Sequence, residues 1–218
     1  MPVHQLLATN AQWAADVAQS DPTFFPTSAQ GQSPHTLWIG CADSRVPASV
    51  ITGAKPGELF VHRNIANQFH PDDKNILSVL RYAVDHLGVE HVVIVGHSRC
   101  GGAQACLNAA LAPNFVPGNL PIATIEDYPA EEDINRWLEP LTELTASLEL
   151  GSISDAALQT IVEENVKLQV KNLSQSEVIQ RAFENGTTAL GKKVQIHGWV
   201  YDLATGRLKD LHVSQSSK

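Results

Sequence analysis

Two short polar segments concentrate residue types that can do chemistry. Cys41-Ala42-Asp43-Ser44-Arg45 offers a thiol, a carboxylate and a guanidinium, and His97-Ser98-Arg99-Cys100 offers an imidazole and a second thiol. Two thiolates and one imidazole form a Cys2His set, which leaves the fourth tetrahedral position of a zinc ion open, as catalysis at a metal requires. A closed structural site would want a fourth protein ligand, and the chain has no Cys-x-x-Cys pair to supply one. Taken singly, each feature has a plainer reading. A cysteine that ends a strand is usually a small buried hydrophobe, His-x-x-Cys is a weak pattern, and Asp43 with Arg45 fits an exposed ion pair of little energetic consequence. Cys106, inside an Ala-rich run, is read as a buried hydrophobe and not as a ligand.

For the two segments to meet, each must leave the same end of a sheet. Thr36-Leu37-Trp38-Ile39-Gly40-Cys41 reads as a buried strand running into a polar turn, Glu58 to His62 as a second, and His91 to Gly96 as the most strand-like run of all. Between them Ile76, Leu80, Ala83, Val84 and Leu87 follow helical spacing, and Asp72 and Gly88 bound a predicted helix over 72–87. After His97 the Gly101-Gly102 pair opens an Ala-rich helix that ends near Leu111. Strand, helix, strand, helix predicts a parallel sheet, in which sites form at the carboxyl ends of the strands. Both polar segments follow such ends.

The remaining chain supports this core. A helix is predicted over Asn10 to Gln19, followed by a Pro-, Ser- and Gly-containing stretch from Asp21 to Pro34, so residues 1–35 read as a peripheral arm and 36–218 as one catalytic domain. Glu131 to Leu150 and Asp155 to Asn185 read as helices, with Pro140 a predicted kink, and Lys193 to Leu203 and Arg207 to Val213 as two strands. The region 113–155 carries no usable motif. The fold class is thus α/β, with helices around a mostly parallel central sheet.

Composition narrows the function. A length of 218 residues, 43% hydrophobic and 17% charged, suits one globular domain with a proper core. The net charge of -8 argues against a nucleic-acid partner, which calls for a basic face, and no apolar run approaches the roughly 18 residues of a membrane span. The first Lys or Arg is Arg45, so the N-terminus lacks the positive region of a signal peptide, and three sparse cysteines suit a reducing compartment; a cytoplasmic location is expected.

Taken together, Cys41-Ala42-Asp43-Ser44-Arg45-Val46, Arg63-Asn64-Ile65-Ala66-Asn67 and Gly96-His97-Ser98-Arg99-Cys100-Gly101-Gly102 resemble the signatures of the beta-class carbonic anhydrases, in their usual order. The resemblance runs from about Gln32 to Gly102 and resumes at Ile196 to Asp202. It implies a parallel sheet extended by an antiparallel C-terminal strand, and subunits paired into homodimers or homotetramers with the N-terminal helix on a neighbour. It further implies one Zn2+ per chain on Cys41, His97 and Cys100, a catalytic dyad of Asp43 and Arg45, and a CO2 pocket lined by Gln32, Phe60, Ile65 and Tyr82, partly from the partner chain. A second, regulatory bicarbonate site at Trp38, Arg63 and Tyr201 is implied for those members of the family that have one.

The reaction implied is reversible hydration of CO2 to bicarbonate and a proton. Zinc lowers the pKa of bound water toward about 7, and two thiolates, by cancelling the metal's charge, weaken that effect and move activity toward alkaline pH. Asp43, held ionised by Arg45, accepts the nucleophile's proton in a hydrogen bond and aims its lone pair, while a Gln32 amide suits an oxygen of CO2 on which charge develops. Two alternatives stay open on sequence grounds: a non-catalytic zinc module that senses bicarbonate, and an enzyme acting on a related substrate such as carbon disulfide.

Overall fold

β-Branched and apolar runs buried on both faces of a sheet are the signature of parallel strands, and the computed structural model, described here for residues 2–217, has two such runs at the centre of four parallel strands. β1 (Thr36–Cys41), β2 (Leu59–Asn64) and β3 (His91–His97) are followed by β4 (Gln195–Asp202), β5 (Arg207–Asp210) and β6 (Gln215–Ser216). The sheet order is β2-β1-β3-β4-β5; β1 to β4 are all parallel, and both β5 and β6 lie antiparallel on β4. The expected mostly parallel α/β sheet is therefore observed, with a two-part antiparallel edge.

The helices, in chain order, are α1 (Val3–Ser20), α2 (Phe24–Ser28), α3 (Ala48–Thr52), α4 (Lys74–Arg81), α5 (Gly101–Ala110), α6 (Asp133–Ser147), α7 (Asp155–Ser174) and α8 (Glu177–Asn185). The helix expected over 72–87 begins where the Asp73 carboxylate caps the Asn75 amide at 2.9 Å. It then widens from α4 into a π-type turn over Tyr82–Leu87. The span expected as one helix over Asp155–Asn185 is broken between α7 and α8. Around the break Ser174 and Ser176 donate their hydroxyls to the Lys171 and Leu173 carbonyls, local bonds by which serine competes with helix continuation. Pro140 lies inside α6.

One face of the sheet is packed by α7, which α5 flanks, and the core there holds Leu37, Ile39, Val92, Ile94, Leu107, Ile161 and Val166. α7 comes close to the sheet at Gly96, one residue before His97. A β-carbon there would lie 2.7 Å from Val166 Cγ2, so only glycine lets α7 dock this close to β3. The opposite face carries Trp38, Val93, Val95 and Trp199 and is covered by little more than Ala48 and Ile51 of α3.

The N-terminal arm differs most from expectation. α1 starts seven residues earlier than the predicted helix and α2 fills part of the stretch read as irregular. α1 buries none of its side chains, leaving Val3, Leu6, Leu7 and Trp13 exposed, although Trp13 meets Phe24 and Phe25 edge-on. No helix of the described residues is long and apolar enough to cross a membrane.

Candidate metal centre

Parallel neighbours bring their carboxyl ends together, and here that end carries the candidate ligands. Gly40 of β1 registers with Val95 of β3, so Cys41 and His97 emerge side by side and Cys100 follows one turn later. Among the described residues, Cys41, His97 and Cys100 form the one group of metal-ligating side chains, with ligand atoms all within 4.8 Å of one another. Donors held tetrahedrally at zinc distances of about 2.0–2.3 Å lie roughly 3.3–3.8 Å apart, so the cluster is close to the size a zinc ion needs. All three side chains are buried.

The chemistry of the donors fits a metal as well as their spacing does. His97 Nδ1 donates to the Ser98 carbonyl at 3.0 Å, which fixes the tautomer and leaves Nε2 with its lone pair. That Nε2 is buried and has no hydrogen-bond partner among the described residues, a costly state unless something accepts the lone pair. The hydrogen bond with Cys41 and then burial hold the Cys100 thiol well above the ordinary range, while the same bond pulls Cys41 down. The Asp43 amide also points at Cys41 Sγ, at 3.4 Å. Cys106, by contrast, is pushed up to about 12 by burial and lies away from the group.

Asp43 and Arg45 meet as a fork. Arg45 Nε and Nη2 donate to Asp43 Oδ1 and Oδ2 at 3.0 and 2.7 Å, and the Arg45 amide adds a third bond to Oδ1 at 2.9 Å. These bonds hold the Asp43 carboxyl far below the usual carboxylate range, and its Oδ2 lies 3.8 Å from His97 Nε2. Arg45 Nη2 also reaches the Arg99 carbonyl at 3.2 Å, tying the first ligand segment to the second. Arg99 itself adopts a left-handed φ of 54°, the tight turn that returns Cys100 toward His97.

The other expected site residues separate into three places. Ile65 follows β2 and shares an apolar depression beside Cys41 with Ala42, Ile134 and Trp137. Phe60 stacks on Tyr82 with ring centroids 5.9 Å apart, but it registers with Leu37, four residues before Cys41 and so about 13 Å away along the strand. Gln32 sits beside Lys55 to Glu58, at the amino end of β2. Within one chain, only Ile65 of the four approaches the candidate ligands. Trp38, Arg63 and Tyr201 share the thinly covered sheet face, as the pairs Gly40–Arg63 and His97–Tyr201 require. Arg63 Nε donates to the Cys41 carbonyl at 2.8 Å and its Nη2 to the Asp43 carbonyl.

Several residues that support the centre had no role assigned from sequence. Asp202, in a segment already noted for its resemblance, accepts from Ser98 Oγ at 3.2 Å, and Ser98 Oγ accepts the Leu203 amide at 2.9 Å. The Ser98 amide donates to the Tyr201 carbonyl at 2.9 Å, so the β4–β5 turn steadies the loop between two ligands. The Trp137 indole holds the Ile65 carbonyl at 2.9 Å. No spacing in the sequence links these positions, which lie 72 to 105 residues apart.

Comparison with known proteins gives a uniform result. The carbonic anhydrase family model matches residues 36–208. A carbonic anhydrase of Emericella nidulans is 38% identical over 213 residues, 96% of this chain and 83% of that protein. One of two tetrameric beta-carbonic anhydrases from Sordaria macrospora is similar in structure, with a TM-score of 0.79 at 36% identity over 97% of this chain and 98% of that one. A Coccomyxa beta-carbonic anhydrase in complex with acetazolamide also has a TM-score of 0.79, at 34% identity over 95% of this chain and 85% of that one.

Proposed function

The chain belongs to the beta-class carbonic anhydrase family, and from that premise we propose that it hydrates CO2 reversibly to bicarbonate at one zinc ion held by Cys41, His97 and Cys100. The observation that carries the ligand assignment is the buried Nε2 of His97, without a hydrogen-bond partner among the described residues and grouped with two buried sulfurs. Zinc, when bound, supplies the Lewis acidity that makes water a nucleophile near neutral pH.

The chain's own residues do the rest. Asp43 Oδ1 is filled by the Arg45 amide and Nε, which leaves Oδ2 with a free lone pair on the side of His97. Oδ2 therefore accepts the nucleophile's proton in a hydrogen bond, and Arg45 keeps the carboxylate ionised and aimed. Ile65 gives a non-polar wall to a non-polar substrate. Gln32, Phe60 and Tyr82 line the same pocket from the partner subunit, which accounts for their distance from the ligands of their own chain. The test is CO2 hydration measured against pH, with zinc determined on the same sample. Activity in proportion to zinc, rising toward alkaline pH, supports the reading; a zinc-loaded protein without hydration activity sinks it.

A shared pocket requires assembly, and the exposed apolar side of α1 is the surface we assign to it, as an arm of residues 1–35 lying on a neighbouring subunit. Removing residues 1–20 is expected to shift the protein to smaller species in light scattering and to lower specific activity on dilution. An unchanged mass would remove the arm from the interface.

Arg63, Trp38 and Tyr201 carry the proposal of a regulatory bicarbonate site. Arg63 holds the carbonyls of Cys41 and Asp43, so an oxyanion that takes its guanidinium competes with the bonds that keep the Asp43 loop in place. The Trp38 indole N–H and the Tyr201 phenol are further donors on the same face. Activity is then expected to fall more steeply below about pH 8 than one titration allows, and added bicarbonate to deepen the loss. Trp38→Phe or Arg63→Ala should flatten the curve. A single-proton profile insensitive to bicarbonate would leave a constitutive enzyme.

A further inference from the structure

The segment that follows β2 runs without regular partners through the interior. Ala66, Asn67 and Gln68 are buried, and Ala66 and Asn67 hold left-handed φ values of 60° and 48°. Residues with a β-carbon keep that conformation only where the surroundings enforce it. Buried backbone groups in such a segment must also find partners outside a ladder.

Helix α7 supplies them from one face. Asn165, Gln169 and Asn172 are spaced four and three apart and so line up along the helix. Asn165 Nδ2 donates to the Ala66 carbonyl at 3.0 Å, the Phe69 amide donates to Gln169 Oε1 at 2.9 Å, and Asn172 Nδ2 donates to the Phe69 carbonyl at 3.2 Å. The amides are linked to one another through Gln68: its Nε2 donates to Asn165 Oδ1 at 2.8 Å, and Gln169 Nε2 donates to Asn165 Oδ1 and Gln68 Oε1 at 2.9 and 3.3 Å. The network is closed, and it orients the segment in a way that apolar packing of equal volume would not.

The same helix is referenced to the metal ligands. Its Val162 and Val166 sit on Gly96, immediately before His97. On the other side the segment itself abuts Gly102, two residues past Cys100, where a β-carbon would lie 3.1 Å from Ala66 Cβ and 3.4 Å from Ile65 Cγ2. α7 thus touches the strand that delivers one ligand and grips the segment that presents Ile65.

We propose that Asn165, Gln169 and Asn172 are positioning residues that set the distance between the Ile65 wall and the metal ligands, and so the fit of CO2; this rests on the reading of Ile65 as pocket wall. A purely structural network would stabilise the fold and leave substrate binding alone. The two roles separate on KM.

Zinc-loaded Asn165→Leu and Gln169→Met are compared with wild type, with Ile65→Ala, and with Ile179→Ala, a core truncation in α8. Zinc content, Tm, kcat and KM for CO2, and hydrogen exchange at the Phe69 amide are measured. Both amide variants are expected to keep one zinc per chain, to raise KM about fivefold with kcat within about twofold, and to speed exchange at Phe69. Ile179→Ala should lower Tm with KM unchanged, and Ile65→Ala should raise KM. If Ile65→Ala leaves KM unmoved, the wall reading fails and takes the proposal with it. If Ile65→Ala raises KM while the folded amide variants do not, the wall stands and the positioning role is overturned, as it is if those variants lose zinc or if Ile179→Ala raises KM equally. Should both amide variants fail to fold, the half-buried Asn172→Ala decides, with a rise in KM of about twofold expected and no rise overturning the proposal.

Discussion

Cys41→Ser, His97→Ala and Cys100→Ser are each expected to yield protein with almost no zinc and no measurable CO2 hydration. A three-ligand site has no spare donor, and each of these side chains is buried where water cannot replace it well. The three losses differ in origin. Removal of either sulfur takes away a thiolate, which lowers affinity most. Removal of the imidazole takes away the donor that the Ser98 carbonyl holds in the ligating tautomer. Cys106→Ser is the internal control. Its thiol is buried, bonded only weakly toward the Leu138 carbonyl at 3.9 Å, and held near 12 by burial, so it offers no thiolate at neutral pH. Metal analysis of the four purified variants, with circular dichroism to establish folding, checks the assignment. Zinc retained by Cys100→Ser but lost from Cys106→Ser would reverse it.

How much of this was legible in the sequence depended on how local each feature is. The ligand segments were readable because strand ends, thiols and an imidazole are marked by residue type, and their meeting follows from parallel pairing, in which β1 and β3 deliver Cys41 and His97 at the same end. The strand cores were readable for the same reason. What escaped was set by contacts between distant parts of the chain. The break at Ser174–Ser176 lies within a helical pattern that continues on both sides, so periodicity passed over it. α1 extends beyond its prediction although it buries nothing, so no apolar stripe marked its true start. The amides of α7 looked like ordinary polar helix positions, because nothing in Asn165 or Gln169 announces an irregular segment about 100 residues away. The placement of Gln32, Phe60 and Tyr82 was the reverse case. Their roles came from resemblance, and the geometry of one chain sets all three apart from the metal ligands, which makes a second chain necessary to the reading.

Asp43→Ala and Arg45→Ala are expected to lower CO2 hydration by at least about tenfold, roughly 1.4 kcal/mol of barrier, while zinc stays at one per chain. Neither residue is a ligand in this assignment, so metal content separates this loss from the first. Arg45→Ala removes two side-chain bonds to Asp43 and the bridge to the Arg99 carbonyl, and it frees the carboxylate to turn toward His97 Nε2, only 3.8 Å from Oδ2 in the present arrangement. Its effect should therefore equal or exceed that of Asp43→Ala, in which nothing is left to compete for the ligand cluster. The pH dependence gives an independent check. Arg45's hydrogen bonds depress the Asp43 pKa below its unfolded value, so the carboxylate is ionised in the folded protein at every pH above about 4, and any stability it confers is lost only as pH falls below that. The alkaline rise in activity thus cannot be the ionisation of Asp43. Asp43→Asn, which removes the charge and half the fork, should lower the whole pH–activity curve and, because a carboxylate beside the titrating nucleophile raises its pKa, move the alkaline midpoint to lower pH. A midpoint that stays put in Asp43→Asn, or wild-type rates from zinc-loaded Asp43→Ala, would reduce Asp43 to a structural partner of Arg45.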